Sequence, residues 1–257
     1  MNENENHVER ELPGGDPYAL SAEYIDIMIA ETWEGLAPEV VSVLKGLHAT
    51  EGPVVDLGAG SGRGVRAVRE ALPGAPVLAV EPSPAMRAVL LARVHDEPLL
   101  RTGVTVLPAD ASSAELPDGM RAVLAMNVLG HLSPDQRRTL WGKAARRLAP
   151  GGALLVNVTP PFTPQPVPRT RMAHLTLGDL TYEGWAQAEP AGHDQVVWRM
   201  DYRVARGTHQ VSQVSVDYRW WVMGDDALAD EVAVEGLVLR PMGGSELGLR
   251  VLTRVGE

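Results

Sequence analysis

Residues 54–64 read VVDLGAGSGRG. An acid, Asp56, sits inside an apolar run, and glycine then recurs at 58, 60, 62 and 64. Glycine straight after a buried strand costs backbone entropy. It is justified by a positive φ, or by a ligand that approaches the backbone too closely for side chains. Such a turn feeds a helix whose first amides point at the same place. A dinucleotide fingerprint needs GxGxxG, but the sixth position counted from Gly58 is Arg63. The spacing Gly58-x-Gly60-x-Gly62 therefore disfavours a nicotinamide cofactor and favours a ligand with no pyrophosphate to hold. Glu81 ends the next apolar run, where an acid can accept from both hydroxyls of a ribose, and Pro82 turns the chain away. Asp110-Ala111 follow the third run, where a carboxylate can take an adenine amino group. Asn127 follows the fourth, in MNVLGHL.

The elements that must position these residues are legible as an alternation. PVVDL (53–57), PVLAVE (76–81), GVTVLP (103–108), RAVLAM (121–126) and GALLVNV (152–158) read as buried parallel strands, and 61–72 and 84–95 as helices between them. A further helix over 134–148 is well marked, with Ser133 as N-cap, Pro134 at its first position, Gln136 closing a capping box, and Pro150-Gly151-Gly152 beyond it. Strands alternating with helices imply a parallel sheet covered on both faces. Residues 17–48 read as two more helices. After the proline-rich 160–168 the period changes to two, which predicts an antiparallel meander of three or four strands. Four of the six tryptophans fall there: Trp185, Trp198, Trp220 and Trp221. Along WRMDYRV, Arg199, Asp201 and Arg203 share one face while Trp198, Met200 and Tyr202 share the other, with either free to look inward. Residues 225–233 predict a short helix and two closing strands follow.

Composition bounds the chemistry. The 257 residues contain no cysteine, which removes disulfides, thiolate metal sites and cysteine nucleophiles and fits a reducing cytoplasm. A net charge of −10 argues against nucleic acid, and no polybasic block suits an anionic membrane. His174, His193 and His209 match no metal-ligand spacing, so no metal is expected. No GxSxG elbow surrounds Ser61, whose flanks two residues away are Ala59 and Arg63. The polar start, MNENENHVERELPGGDP, has no apolar core of a signal peptide.

DLGAGSG, the strand-end Glu81, PAD at 108–110 and LAPGG at 148–152, in that order, resemble a class I S-adenosylmethionine-dependent methyltransferase, and particularly its small-molecule, sugar N-methyltransferase-like members. The resemblance covers about residues 15–158. It implies an α/β, Rossmann-like, doubly wound sheet of seven strands with the last antiparallel, and an inserted antiparallel β-meander. The expected division is a disordered tail at 1–16, a core at 17–160 and 224–257, and an insertion at 161–223 roofing the substrate pocket. Gly58, Ala59, Gly60 and Gly62 would pass under the methionine part of S-adenosylmethionine. Asp56 would organise the turn and reach its amino group, and Glu81 would hold the ribose. Pro82 or Met86 would pack near the adenine, whose edge Asp110 and Ala111 would meet, with Asn127 alongside. Tyr18 and Tyr24 are candidates for an aromatic over the cofactor. His131, four residues beyond Asn127, is the candidate base or pocket wall. The expected reaction is methyl transfer to O or N of a small organic molecule in natural-product biosynthesis, leaving S-adenosylhomocysteine. The alternative is a protein of this fold that binds the cofactor and catalyses a non-methylating reaction such as cyclisation. The expected partner is a small-molecule acceptor, with a homodimer as a further expectation; the aromatic face of the meander reads as pocket wall, dimer seam or simple packing on the core, and nucleic acid and membrane are not expected.

Overall fold

The computed structural model describes residues 16–240 and 245–256. Two helices open it, α1 (Ala22–Met28) and α2 (Ala30–Lys45). There follow β1 (Val54–Leu57), α3 (Arg63–Ala71), β2 (Val77–Val80), α4 (Pro84–Asp96), a one-turn α5 (Pro98–Arg101) and β3 (Val104–Leu107). Next come β4 (Met120–Ala125), a 3-10 turn at Leu129–His131, α6 (Pro134–Arg147) and β5 (Leu148–Asn157). The remaining strands are β6 (Val167–Leu177), β7 (Leu180–Pro190), β8 (Gln195–Arg206), β9 (His209–Trp221), and, after α7 (Asp225–Ala233), β10 (Leu237–Arg240) and β11 (Leu249–Arg254). Of the expected tail at 1–16, only Asp16 is among the described residues, and its carboxylate is held in place (below).

The main sheet has seven strands in the order β10-β11-β5-β4-β1-β2-β3, with β11 antiparallel to both neighbours. This is the Rossmann-like, doubly wound arrangement. The short core strands are continuous apolar runs because both faces are covered. Their alternate residues still divide cleanly. Val54, Ala122, Leu124 and Leu155 pack against α2, α3 and α4, while Val55, Val123, Leu154 and Val156 pack against α6 and α7. In α2, Trp33, Leu36, Val40 and Leu44 are buried at helical spacing. The capping box of α6 forms as the sequence predicts, with Ser133 accepting from Gln136 N and Gln136 accepting from Ser133 N.

Strand β1 lies between β2 and β4, so the chain runs outward to β3 and then crosses back to β4. A crevice opens where winding reverses, at the carboxyl ends of β1 and β4. That topology places the glycine turn beside the loop carrying Asn127 and His131.

The second sheet is the four-stranded antiparallel meander β6-β7-β8-β9. Two-residue turns at Gly178-Asp179 and Gly207-Thr208 close two of its hairpins, with Gly178 and Gly207 at positive φ. Its inward face carries Tyr182, Met200, Tyr202, Val204, Val214 and Val216, which pack on Tyr24 and Met28 of α1. The outward face is charged: Arg199 forms a fork with Asp217 at 2.9 Å on both nitrogens, and Arg169 lies 4.4 Å over the Trp185 ring.

Candidate active site

The glycine turn is strained in the way its sequence requires. Gly58 and Gly60 take φ of 63° and 55°, where L side chains are disfavoured. The crowding is also intramolecular: a Cβ on Gly58 would lie 2.6 Å from Val128 Cγ2, in the loop after β4. Glycine here lets two loops meet, in addition to any room it leaves for a ligand. A Cβ on Gly64 would lie 2.6 Å from Asp56 Oδ2, so the fourth glycine makes space for the acid rather than for a cofactor.

Asp56 is buried under the first turn of α3 and accepts from the Val65 amide, while its Oδ2 has no hydrogen-bond partner. Burial pushes its carboxyl up to about 7, and the nearby Glu81 adds to that. An unfolded aspartate titrates near ~3.9. Between those values the folded chain holds the extra proton, so Asp56 weakens the fold as pH rises through that window. Asp56→Asn is therefore expected to gain thermal stability relative to the unmodified chain between pH 5 and pH 8. Melting both at each pH checks this, and a difference that does not change with pH would refute it.

Glu81 is 4% exposed and accepts from Gly60 N and Ser83 N, both at 2.8 Å. One carboxylate thereby joins the β1 and β2 loops, and still has lone pairs to offer. Burial raises its pKa, and the Ser83 and Gly60 amides partly offset that rise. Met86 is buried with its methyl 3.6 Å from where a Gly60 Cβ would be. Ala59 and Ala111 are buried, while Pro82 is exposed and its carbonyl accepts from Arg87. Asp110 is exposed, spends one oxygen on the Ser112 amide at 2.7 Å, and lies near enough to His131 to act on its charge. Asn127 adopts φ of 57°, a conformation that asparagine tolerates. Its amide N donates to Asn157 Oδ1 at 2.6 Å and its Oδ1 accepts from Asn157 Nδ2 at 2.8 Å. Both asparagines line a cavity of about 240 Å³ shared with Thr32, Phe162 and Glu246.

Tyr18 crosses between these groups. Its hydroxyl lies 2.7 Å from His131 Nε2, and its ring is 5.4 Å from that of Tyr218 on β9. Burial raises the Tyr18 pKa, and Tyr218 and then Glu81 raise it further, so the phenol is neutral. His131 opens onto the cleft by solvent accessibility, yet the protein crowded around it depresses its pKa to about 4. The imidazole is neutral at pH 7. Trp220 of β9 meets it edge-on at 4.7 Å. The N-terminal approach is fastened too, because Asp16 accepts from Ser83 Oγ at 2.7 Å and Ser21 Oγ lies 2.5 Å from the Tyr218 hydroxyl.

Tyr24 does not join this group. Its ring stacks on Tyr202 at 5.2 Å and 7°, and its hydroxyl meets Ser212, so it is core between α1 and the meander. Asp16, Tyr218 and Trp220 belong to the cleft but were not singled out from sequence as site residues. Only their long-range partners mark them. Among the described residues no group of three His, Asp or Glu is placed to hold a metal, and no helix is long and apolar enough to cross a membrane.

A family model described as a methyltransferase domain matches residues 54–152. No curated protein matches the sequence. Among solved structures, the chain is similar to CalS10, an amino pentose methyltransferase from Micromonospora echinaspora involved in calicheamicin biosynthesis and solved with S-adenosylmethionine bound. That match has 18% identity and a TM-score of 0.73, over 91% of this chain and 96% of the other. It is similar also to the sugar N-methyltransferase KedS8 from Streptoalloteichus, at 18% identity and 0.73, over 99% and 98%. DesVI of Streptomyces venezuelae matches at 15% identity and 0.74, over 96% and 100%. The fold is that of the class I S-adenosylmethionine-dependent methyltransferases. Residues 54–152 of the chain carry a methyltransferase domain.

Proposed function

We propose that the protein transfers a methyl group to O or N of a small organic molecule in natural-product biosynthesis, and that the amine of an amino sugar is the first acceptor class to examine. The observation carrying this reading is Tyr18, whose hydroxyl hydrogen-bonds His131 and lies within electrostatic reach of Glu81. It joins the proposed cofactor end of the cleft to the end roofed by Tyr218 and Trp220. The printed descriptions of CalS10 and KedS8 direct the choice of acceptor.

When bound, S-adenosylmethionine supplies a methyl group already activated on a sulfonium. The chain's own work is then to bind, orient and exclude water. Gly58, Ala59, Gly60 and Gly62 give a backbone floor, Glu81 and Asp110 give carboxylates for ribose and adenine, and Met86 gives an apolar wall. Around the acceptor, Tyr18, His131, Tyr218 and Trp220 are uncharged. That lining disfavours an ammonium by desolvation, while the carboxylates of Asp110, Asp16 and Glu81 near it act the other way. With its pKa depressed, His131 is a weak base, and its part is to hold the Tyr18 hydroxyl. The chain is read as a core at 17–160 and 224–257 with residues 161–223 as roof.

Methyl-labelled cofactor offered with a panel of amino sugars and hydroxylated aglycones tests this. A labelled acceptor with an equal yield of S-adenosylhomocysteine supports the reading. Acceptor consumed without S-adenosylhomocysteine would replace it with the non-methylating alternative.

A further inference from the structure

Arg63, the residue that breaks a dinucleotide fingerprint, is engaged in a polar cluster centred on Asp26 of α1. Arg63 Nε donates to Asp26 Oδ1 at 2.9 Å, and its Nη2 donates to Asp26 O at 2.9 Å and to Oδ2 at 3.1 Å. Arg93 of α4 donates through Nη2 to Oδ2 at 2.9 Å. Ser61 Oγ donates to Oδ1 at 2.6 Å, and Arg93 Nη1 donates to Ser61 O at 2.5 Å. Burial alone would raise the Asp26 pKa, but Arg93, Ser61 and Arg63 outweigh it and hold the carboxylate ionised.

Ser61 is the point of interest. It is 2% exposed and stands between Gly60 and Gly62, at φ of 55° and 90°. Glycine torsions turn cheaply, so a loop flanked by them is floppy unless something else fixes it. Both polar ends of Ser61 are fixed, the hydroxyl by Asp26 and the carbonyl by Arg93. A plain ion pair joining α1, α3 and α4 would not need to reach the loop. We propose that Asp26 is a positioning residue for the cofactor: through Ser61 and Arg93 it freezes the glycine turn in its binding-ready form. Freezing it beforehand removes an ordering cost from cofactor binding. The same α1 follows the Asp16–Tyr18 stretch that reaches Ser83 and His131, so one helix anchors both the loop and the cap over the cleft. The inference rests on reading residues 58–62 as the cofactor loop.

The test is calorimetric titration of the whole chain with S-adenosylhomocysteine, alongside thermal melting. Ser61→Ala removes one hydroxyl and is expected to weaken binding about fivefold; Asp26→Asn is expected to weaken it about tenfold. Because both act through one contact, the double variant should bind within about twofold of Asp26→Asn alone. Glu97→Gln breaks the Arg66–Glu97 ion pair away from the loop and should leave affinity within about twofold. Lowered melting points with unchanged affinity in Ser61→Ala and Asp26→Asn would make the cluster merely structural and overturn the inference alone. If Asp26→Asn does not fold, Ser61→Ala decides. No binding by the unmodified chain would overturn the cofactor reading and this inference together.

Discussion

Glu81→Ala is expected to weaken S-adenosylhomocysteine binding by at least about 100-fold while leaving a folded chain. The size follows from two losses. The carboxylate is buried and accepts from the amides of Gly60 and Ser83, so its removal strands two donors, at about 1–3 kcal/mol for each that stays unsatisfied. The glycine turn and the β2–α4 loop then lose their shared anchor. The second loss is of charge-assisted hydrogen bonds to the ribose hydroxyls, about 1.5–3 kcal/mol each. The stranded donors weaken the fold in the free and bound states alike, but two ribose bonds at the low end of that range already exceed about 2.8 kcal/mol, and each 1.4 kcal/mol is about tenfold in affinity. Glu81→Gln should recover little, because its NH₂ would face one of the two amide donors. Titration of both variants, with melting curves to show that each is folded, gives the answer. Affinity within about threefold of the unmodified chain in Glu81→Ala would remove the ribose assignment and leave Glu81 as a loop staple.

How much of this could be read from the sequence depends on the range of the interaction. The glycine turn, Glu81 at its strand end, the Ser133–Gln136 cap and the Gly-centred hairpins are local: each residue type answers a demand made within a few positions. The alternation of strand and helix likewise dictates a sheet covered on both faces. The meander was legible as a sheet because period two is local, but its inward face was not. Alternation defines two faces, and which is buried is set by what lies opposite. Here that is α1, whose Tyr24 and Met28 seat Tyr202 and Val204 inward. The same limit explains Tyr24, whose aromatic character suited a cofactor lid as well as a core position until its stacking partner 178 residues away was known. Tyr18–His131 spans 113 positions and Ser21–Tyr218 spans 197, and nothing in the intervening chain announces either pair. Asp26 was silent for the same reason, since its value lies in two arginines and a serine on other elements.

The remaining large effect concerns Gly130, where the inserted sheet grips the core. A Cβ there would lie 1.9 Å from Trp220 Cε2 and 2.2 Å from its Nε1, inside the indole. Gly130 is not at positive φ, so the backbone accepts alanine and the nearest obstacle is the ring. Gly130→Ala must push Trp220 aside or lift the 3-10 turn, and either movement displaces His131, which Trp220 contacts edge-on. Overpacking of this kind costs about 1–3 kcal/mol, so the melting point should fall by several degrees, at about 2–4 °C for each kcal/mol. The rate should suffer more. A misplacement of about 1 Å at a reacting pair can cost about 100-fold, and that loss is expected in methyl transfer with the acceptor identified as above. Affinity for S-adenosylhomocysteine should fall far less than the rate, because Gly130 itself does not touch the glycine turn and reaches it only through Val128. This split separates the variant from general destabilisation, which would degrade both. Adding Trp220→Ala, which removes the Cδ2, Cε2 and Nε1 atoms that the new methyl would meet, should recover part of the rate that Gly130→Ala loses. A Gly130→Ala chain with unimpaired transfer would mean that the meander covers the cleft without setting His131. A loss that Trp220→Ala deepens would place the indole itself against the acceptor.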